Sequence, residues 1–268
     1  KLYTSDEAYI LQNKDGRIVF VIPYEGDFSL VGTTDEDFKG NPIDAAISNE
    51  ETEYLIDVVN RYFKSKITKS DIVHSYSGVR PLLEEKNASA QELTRDYKVE
   101  LNGASGEPAL LNIFGGKITT YRKLAEHAVD KLVACFPKAR KAWTREVPLP
   151  GGAFESQAQL VDKLISDFPW LSEQVCQRYA RQYGLLCYKF LKNDSTLASM
   201  GKDFGANLYK AEIDYLIDYE WAMTAEDILW RRTKHGLRLT ESQQAVLGDY
   251  VQQRLADAEG EQNLLASA

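Results

Sequence analysis

Gly115-Gly116-Lys117-Ile118-Thr119-Thr120-Tyr121-Arg122 follows an apolar run, Leu110-Leu111-Asn112-Ile113-Phe114, that reads as a strand. It precedes Leu124, Ala125, Ala128, Val129, Leu132 and Val133, whose spacing is helical. The octapeptide is therefore a strand-to-helix turn with two glycines at the bend. Backbone N–H groups at a helix start have no intrahelical partner and sit at the positive end of the helix dipole. Such a turn suits an anion, or a group that becomes anionic during a reaction. Lys117 adds a cation, and Thr119 and Thr120 add hydroxyls. A double glycine between strand and helix also serves as a plain tight turn, and the octapeptide does not choose between the two. It is not a phosphate-binding Walker loop, because Leu111 stands where that motif needs a glycine. No two glycines are spaced i, i+2, so the chain holds no G-x-G-x-x-G dinucleotide fingerprint.

Outward from the turn, the chain alternates strand signals with one helix. Strands are expected at Ala8–Gln12, at Arg17–Ile22 (ended by Pro23), at Phe28–Gly32, at Ile72–Val79 and at Thr94–Leu101. Asn13-Lys14-Asp15-Gly16 is a turn signal between the first two. Ser48 and Glu51 make a capping box for a helix whose apolar face holds Leu55, Ile56, Val58, Val59, Tyr62 and Phe63. Strands adjacent in sequence favour an antiparallel α+β sheet. The character changes at Val147-Pro148-Leu149-Pro150-Gly151-Gly152, which reads as a boundary. Helices are expected beyond it at 155–167, 171–183, 186–200, 207–220, 224–234 and 240–258. The organisation expected is thus a mainly antiparallel first domain over 1–146, then a small all-α domain over 147–268.

The 268 residues are 44% hydrophobic and 27% charged, an ordinary globular composition, with a net charge of −8 that argues against nucleic acid as a partner. Cys135, Cys176 and Cys187 form no C-x-x-C and read as free thiols packed in apolar surroundings. His74, His127 and His235 lack ligand-like spacing, so no metal site is expected. No apolar run reaches the roughly 18 residues of a membrane span.

Two arginines have settings suited to anion recognition. Arg80 ends Tyr76-Ser77-Gly78-Val79-Arg80-Pro81, and Arg95 opens Thr94-Arg95-Asp96-Tyr97. A guanidinium grips phosphate or carboxylate through two parallel charge-assisted bonds. The alternative is that both are ordinary surface charges. The basic run Trp230-Arg231-Arg232-Thr233-Lys234-His235 admits two readings as well, an anion contact or a solvated helix face.

Ser77-Gly78-Val79-Arg80-Pro81, Thr94-Arg95-Asp96-Tyr97 and Phe114-Gly115-Gly116-Lys117-Ile118-Thr119-Thr120-Tyr121-Arg122, in this order, resemble the aerobic FAD-dependent glycerol-3-phosphate dehydrogenases, the bacterial respiratory type in particular. Ile22-Pro23, Gly32-Thr33-Thr34-Asp35, Leu149-Pro150-Gly151-Gly152 and Leu229-Trp230-Arg231-Arg232-Thr233 fit the same family. The chain resembles its C-terminal half. The resemblance implies a partial flavin- and substrate-binding domain of the D-amino-acid-oxidase type, followed by a helical domain. It implies oxidation of sn-glycerol 3-phosphate to dihydroxyacetone phosphate with hydride transfer to FAD. It also implies electrons passed to ubiquinone, a homodimer, and peripheral attachment at the cytoplasmic face of the bacterial inner membrane.

Position by position, Arg80 and Arg95 match the family's substrate-facing arginines. Gly115, Gly116, Lys117, Ile118 and Thr119 match the turn that meets the flavin ring. The pyrophosphate-binding fingerprint is missing, as is any catalytic base encoded upstream. The chain on its own is therefore expected to be inactive and to bind little or no FAD. Two other readings stand beside this one: a related oxidase of another hydroxy or amino acid, and a non-catalytic dimerisation or interaction module.

Overall fold

The computed structural model describes residues 1–36, 38–80, 96–103, 108–136, 138, 140–192 and 196–266. They divide into two compact units, Lys1–Val147 and Pro148–Ala268.

The first unit opens with an antiparallel sheet of β1 (Tyr9–Gln12), β2 (Ile18–Tyr24) and β3 (Phe28–Gly32), with β2 in the centre. The Asn13–Gly16 turn closes on itself: Asn13 N–H donates to the Arg17 carbonyl at 3.0 Å and Gly16 N–H to the Asn13 carbonyl at 3.0 Å. β2 does not stop at Pro23 but runs on to Tyr24, pairing Pro23 with Ser29. The reason lies in the register. β1 begins only at Tyr9, opposite Val21, so β2 has one neighbour at the level of Pro23 and can spare the missing donor.

Helix α1 (Asn49–Tyr62) starts where the capping box puts it. Ser48 Oγ accepts from Glu51 N–H at 3.1 Å, and a Glu51 carboxylate oxygen accepts from Ser48 N–H at 2.8 Å. Val58 and Val59 pack with Leu11, Val19 and Val21, all buried. The opposite face of the sheet has no such cover among the described residues. Ile10 is 62% exposed, and Ile18, Phe20 and Ile22 are exposed beside it. Ile18-Val19-Phe20-Val21-Ile22 is apolar at every position, the pattern of a strand buried on both faces.

A second hairpin, β4 (Tyr97–Asn102) and β5 (Leu110–Gly115), pairs antiparallel and leads into α2 (Tyr121–Leu132). The described residues thus hold two small antiparallel sheets rather than one large one. Residues 72–79 form no strand: Ile72, Val73, Tyr76 and Val79 are exposed, and no ladder partner lies among the described residues. A β-branched run becomes a strand when a neighbour takes its backbone bonds, so composition misleads here. The expected strand at 94–101 starts at Tyr97, with 94 and 95 outside the described residues.

The second unit holds α3 (Gln157–Asp167), α4 (Glu173–Tyr183), α5 (Lys210–Glu220) and α6 (Glu241–Ala266). Ser156 and Ser172 cap α3 and α4 through their hydroxyl oxygens. Two expected helices take other forms. In place of 186–200 there are tight turns at Gly184–Lys189 and Ala198–Met200, which carry Cys187 and Met200 into the core. In place of 224–234 there is a wide turn at Asp227–Arg232. Thr233 closes it by giving both its N–H (3.0 Å) and its hydroxyl (2.6 Å) to the Ile228 carbonyl.

The Leu149–Gly152 stretch is more than a spacer. Gly152 N–H donates to the Leu149 carbonyl at 2.8 Å, and the Gly151 carbonyl accepts from Leu185 N–H at 2.9 Å. Gly151 has φ +82°, and a Cβ there would lie 2.6 Å from the Tyr183 carbonyl oxygen. The glycine is required by both conformation and contact.

The core of this unit is large, with Leu164, Phe168, Tyr179, Leu208, Ile213, Leu216, Ile228 and Leu247 buried. Cys176 and Cys187 are buried free thiols, and burial pushes Cys187 up to about 12. Cys135, in contrast to expectation, is exposed. Inside this core lies an ion pair. Arg178 donates to Glu212 through Nη1 at 2.5 Å and Nη2 at 2.9 Å, and Tyr183 OH donates to Glu212 at 2.7 Å. Burial by itself would raise the Glu212 carboxyl, but the Arg178 charge and these hydrogen bonds outweigh it and hold it below the usual carboxylate range. Burial pushes the His235 imidazole down to about 4, with the Arg178 charge adding to the effect.

Two outcomes follow from these elements. Ser48→Ala removes one of the two capping-box bonds and should destabilise the first unit by about 1 kcal/mol, read as a lower Tm in thermal melts. His235 and Glu212 both have depressed values in the folded chain. Their stabilisation is full above their ordinary values of 6.5 and 4.5 and is lost on acidification. Unfolding of the second unit, followed by circular dichroism, should therefore ease between about pH 6.5 and pH 4, with His235 accounting for about 3 kcal/mol. His235→Phe should flatten that slope.

Candidate substrate- and cofactor-facing site

The strand β5 ends in a bend that an L side chain rarely makes. Gly115 has φ +69° and Gly116 φ +102°, so two successive residues lie at positive φ. At Gly116 space is not the constraint, since a Cβ would meet Tyr97 Cβ at 3.4 Å and Leu124 Cδ1 at 3.5 Å, ordinary contact. Lys117 is extended, and a short 3-10 turn, Ile118–Thr120, comes before α2. Thr120 gives its N–H (3.0 Å) and its hydroxyl (3.1 Å) to the Lys117 carbonyl. The expected direct entry into a helix is therefore tightened by one 3-10 turn. Lys117, Ile118 and Thr119 are exposed, Ile118 to 85%.

The register of the second hairpin sets what lies beside this bend. Tyr97 is the Cα partner of Gly115. Tyr97, the last residue of the Thr94-Arg95-Asp96-Tyr97 motif, thus lies beside the glycine turn at one end of the hairpin. Arg95 itself lies outside the described residues.

Arg80 stands at the end of the 72–80 segment, and its guanidinium is held by an acid that sequence reasoning assigned no role. Nη1 donates to Asp35 Oδ2 at 2.5 Å, with both side chains partly exposed. Asp35 lies in the loop that leaves β3. The neighbouring Thr34 hydroxyl donates to Glu51, the capping-box residue of α1. The Gly32-Thr33-Thr34-Asp35 motif was the available signal, but nothing local pairs Asp35 with a residue 45 positions on.

The basic run in the second unit is engaged internally. Arg231 pairs with Glu226 at 2.9 Å and Asp227 at 3.1 Å, and Arg232 donates to the Glu220 carbonyl at 2.6 Å. Lys234 donates to the Trp230 carbonyl, and His235 is buried. Arg231 is exposed, and its ion pairs lie at the surface as on a solvated face, while Arg232 and Lys234 are half-buried and bonded to backbone carbonyls. Among the described residues no group of His, Cys, Asp and Glu is placed to hold a metal, and no helix is long and apolar enough to cross a membrane.

Comparison with known proteins agrees with the motifs. Residues 3–122 match the family of FAD dependent oxidoreductases, and 142–257 match the C-terminal domain of alpha-glycerophosphate oxidase. A glycerol-3-phosphate dehydrogenase of Pseudomonas aeruginosa is 48% identical over 94% of this chain and 49% of its own length. The aerobic glycerol-3-phosphate dehydrogenase of Escherichia coli is 45% identical over 96% of this chain and 52% of its own length. A D-erythritol 1-phosphate dehydrogenase of Brucella abortus is 42% identical over 93% of this chain and 50% of its own length. The chain spans about half the length of these curated relatives. With both family matches in sequence order and this identity over nearly every residue, the chain belongs to the FAD-dependent oxidoreductase family.

Proposed function

We propose that this chain supplies the substrate clamp and the flavin-facing turn of an enzyme that oxidises sn-glycerol 3-phosphate to dihydroxyacetone phosphate. The observation that supports the reading is the pairing of Tyr97 with Gly115, which sets Tyr97, two positions after Arg95 in the sequence, beside the glycine bend. In this reading residues 1–146 are part of a flavin- and substrate-binding domain, and 147–268 are its helical C-terminal domain. The apolar sheet face around Ile10 and Phe20 supports a first unit built to pack against further protein.

The residues present fit one side of FAD. Two successive glycines at positive φ, followed by exposed Lys117, Ile118 and Thr119, let the backbone approach a flat ring closely. They do not fit the pyrophosphate, for which the 268 residues carry no G-x-G-x-x-G. FAD, when bound, supplies the acceptor for the hydride that leaves C2 of the substrate. Arg80 and Arg95 grip the phosphate and so orient C2. The Lys117 ammonium and the N–H groups of the turn favour negative charge as it develops at the ring and at the C2 oxygen. Glycerol, without phosphate, would leave the arginine donors unmatched. The proposal extends to ubiquinone as electron acceptor, a homodimer, and peripheral attachment at the cytoplasmic face of the bacterial inner membrane. Those three parts rest on the family resemblance.

The Brucella relative favours a second reading, in which the same phosphate clamp serves a longer polyol phosphate. Turnover on glycerol 3-phosphate against D-erythritol 1-phosphate separates the two.

In the flavin-loaded, full-length enzyme, Arg80→Ala should lower kcat/KM for glycerol 3-phosphate about 10- to 100-fold and leave flavin content intact. Flavin loss with unaltered substrate kinetics would show the role to be misassigned. The 268-residue chain, purified by itself, should show no stoichiometric flavin absorbance, and a yellow one-to-one complex would refute the division of labour.

A further inference from the structure

The Arg80–Asp35 pair calls for an explanation that stability does not provide. A partly exposed ion pair of this kind adds under about 1 kcal/mol to folding. Yet Asp35 is set with some care. It follows Thr34, whose hydroxyl is bonded to Glu51, and Glu51 in turn accepts from Ser48 N–H at 2.8 Å. The Ser48 backbone bond, with the Thr34 bond next, keeps the Glu51 carboxyl below its ordinary range. The acid loop is thereby pinned to the start of α1. Arg80 has no comparable support from its own backbone, because the described residues 72–80 lie in no strand.

We propose that Asp35 is a positioning residue for the substrate phosphate: it holds Arg80 by Nη1 and turns the Nε–Nη2 edge of the guanidinium toward the ligand. This rests on the reading of Arg80 as a phosphate ligand. A guanidinium carries five N–H donors in a rigid fork, so a carboxylate on one nitrogen leaves a two-nitrogen edge suited to a second oxyanion. Fixing that edge beforehand removes an ordering cost from substrate binding. The opposing effect is repulsion between Asp35 and the phosphate, and the two effects change KM in opposite directions.

The test uses the full-length, flavin-loaded enzyme and four variants: Asp35→Asn, Asp35→Glu, Arg80→Ala and the Asp35→Asn/Arg80→Ala double variant. Asp35→Asn should raise KM for glycerol 3-phosphate about three- to five-fold. Its kcat should stay within about two-fold, and its Tm and flavin absorbance should be unchanged. Asp35→Glu should recover part of the loss. In the Arg80→Ala background the Asn substitution should have no further effect, because Asp35 acts through that side chain. An unchanged or lowered KM in Asp35→Asn overturns the proposal while Arg80→Ala still reports a phosphate ligand, and so does an equal loss in both backgrounds. If Arg80→Ala itself leaves KM unaltered, the functional reading of Arg80 falls and this inference falls with it.

Discussion

Two consecutive glycines at positive φ are the constraint on which the candidate site depends. The bend at Gly115–Gly116 ends β5 opposite Tyr97 and releases the chain toward α2. A residue with a Cβ would meet no serious clash at Gly116, so the demand there is purely one of backbone conformation. Moving the bend by one residue would shift the hairpin register and turn every side chain of β5 to the other face. The 3-10 turn after the bend closes through the Thr120 donors on the Lys117 carbonyl, and the side chains of residues 117–120 all stay exposed.

The two units differ in how they keep their order. The second has a deep apolar core with Arg178, Glu212 and Tyr183 bonded to one another inside it. A buried pair of this kind recovers its desolvation cost only when its remaining bonds are met. Arg178 also donates to the Asn207 carbonyl at 2.9 Å, tying α4 to the chain ahead of α5. The first unit relies on a thin core around Val19, Val21, Val58 and Val59 and on point contacts between loops. Its outer sheet face is apolar and uncovered among the described residues. That asymmetry separates a helical unit with a deep core of its own from a unit that leaves an apolar sheet face exposed among the described residues.

Much of the local structure was legible from residue order. The first three strands, the Asn13–Gly16 turn and the Ser48–Glu51 cap lie at or within two residues of their expected places, because each depends on neighbours within a few positions. The misreadings share a cause. Residues 72–79 have strand composition without a ladder. Pro23 reads as a stop, yet the strand continues because the β1 ladder does not reach beyond Val21. The 186–200 and 224–234 segments read as α-helices, but glycine at Gly184 and the doubled bond from Thr233 to Ile228 impose tighter and wider turns.

The candidate site divides along the same line. Residue order was enough to single out the glycine bend, the lysine beyond it and the two arginine motifs, since glycine pairs, charge and flanking apolar periodicity are all local signals. It was also enough to identify the FAD-dependent oxidoreductase family, since several short motifs in a fixed order are jointly specific. The placement of Tyr97 beside Gly115, the engagement of Arg80 by Asp35, and the bonding of Arg232 and Lys234 to backbone carbonyls came from the folded chain. Each is a contact between groups whose meeting depends on strand register, helix packing or loop closure, and none of those leaves a trace in the spacing of nearby residues.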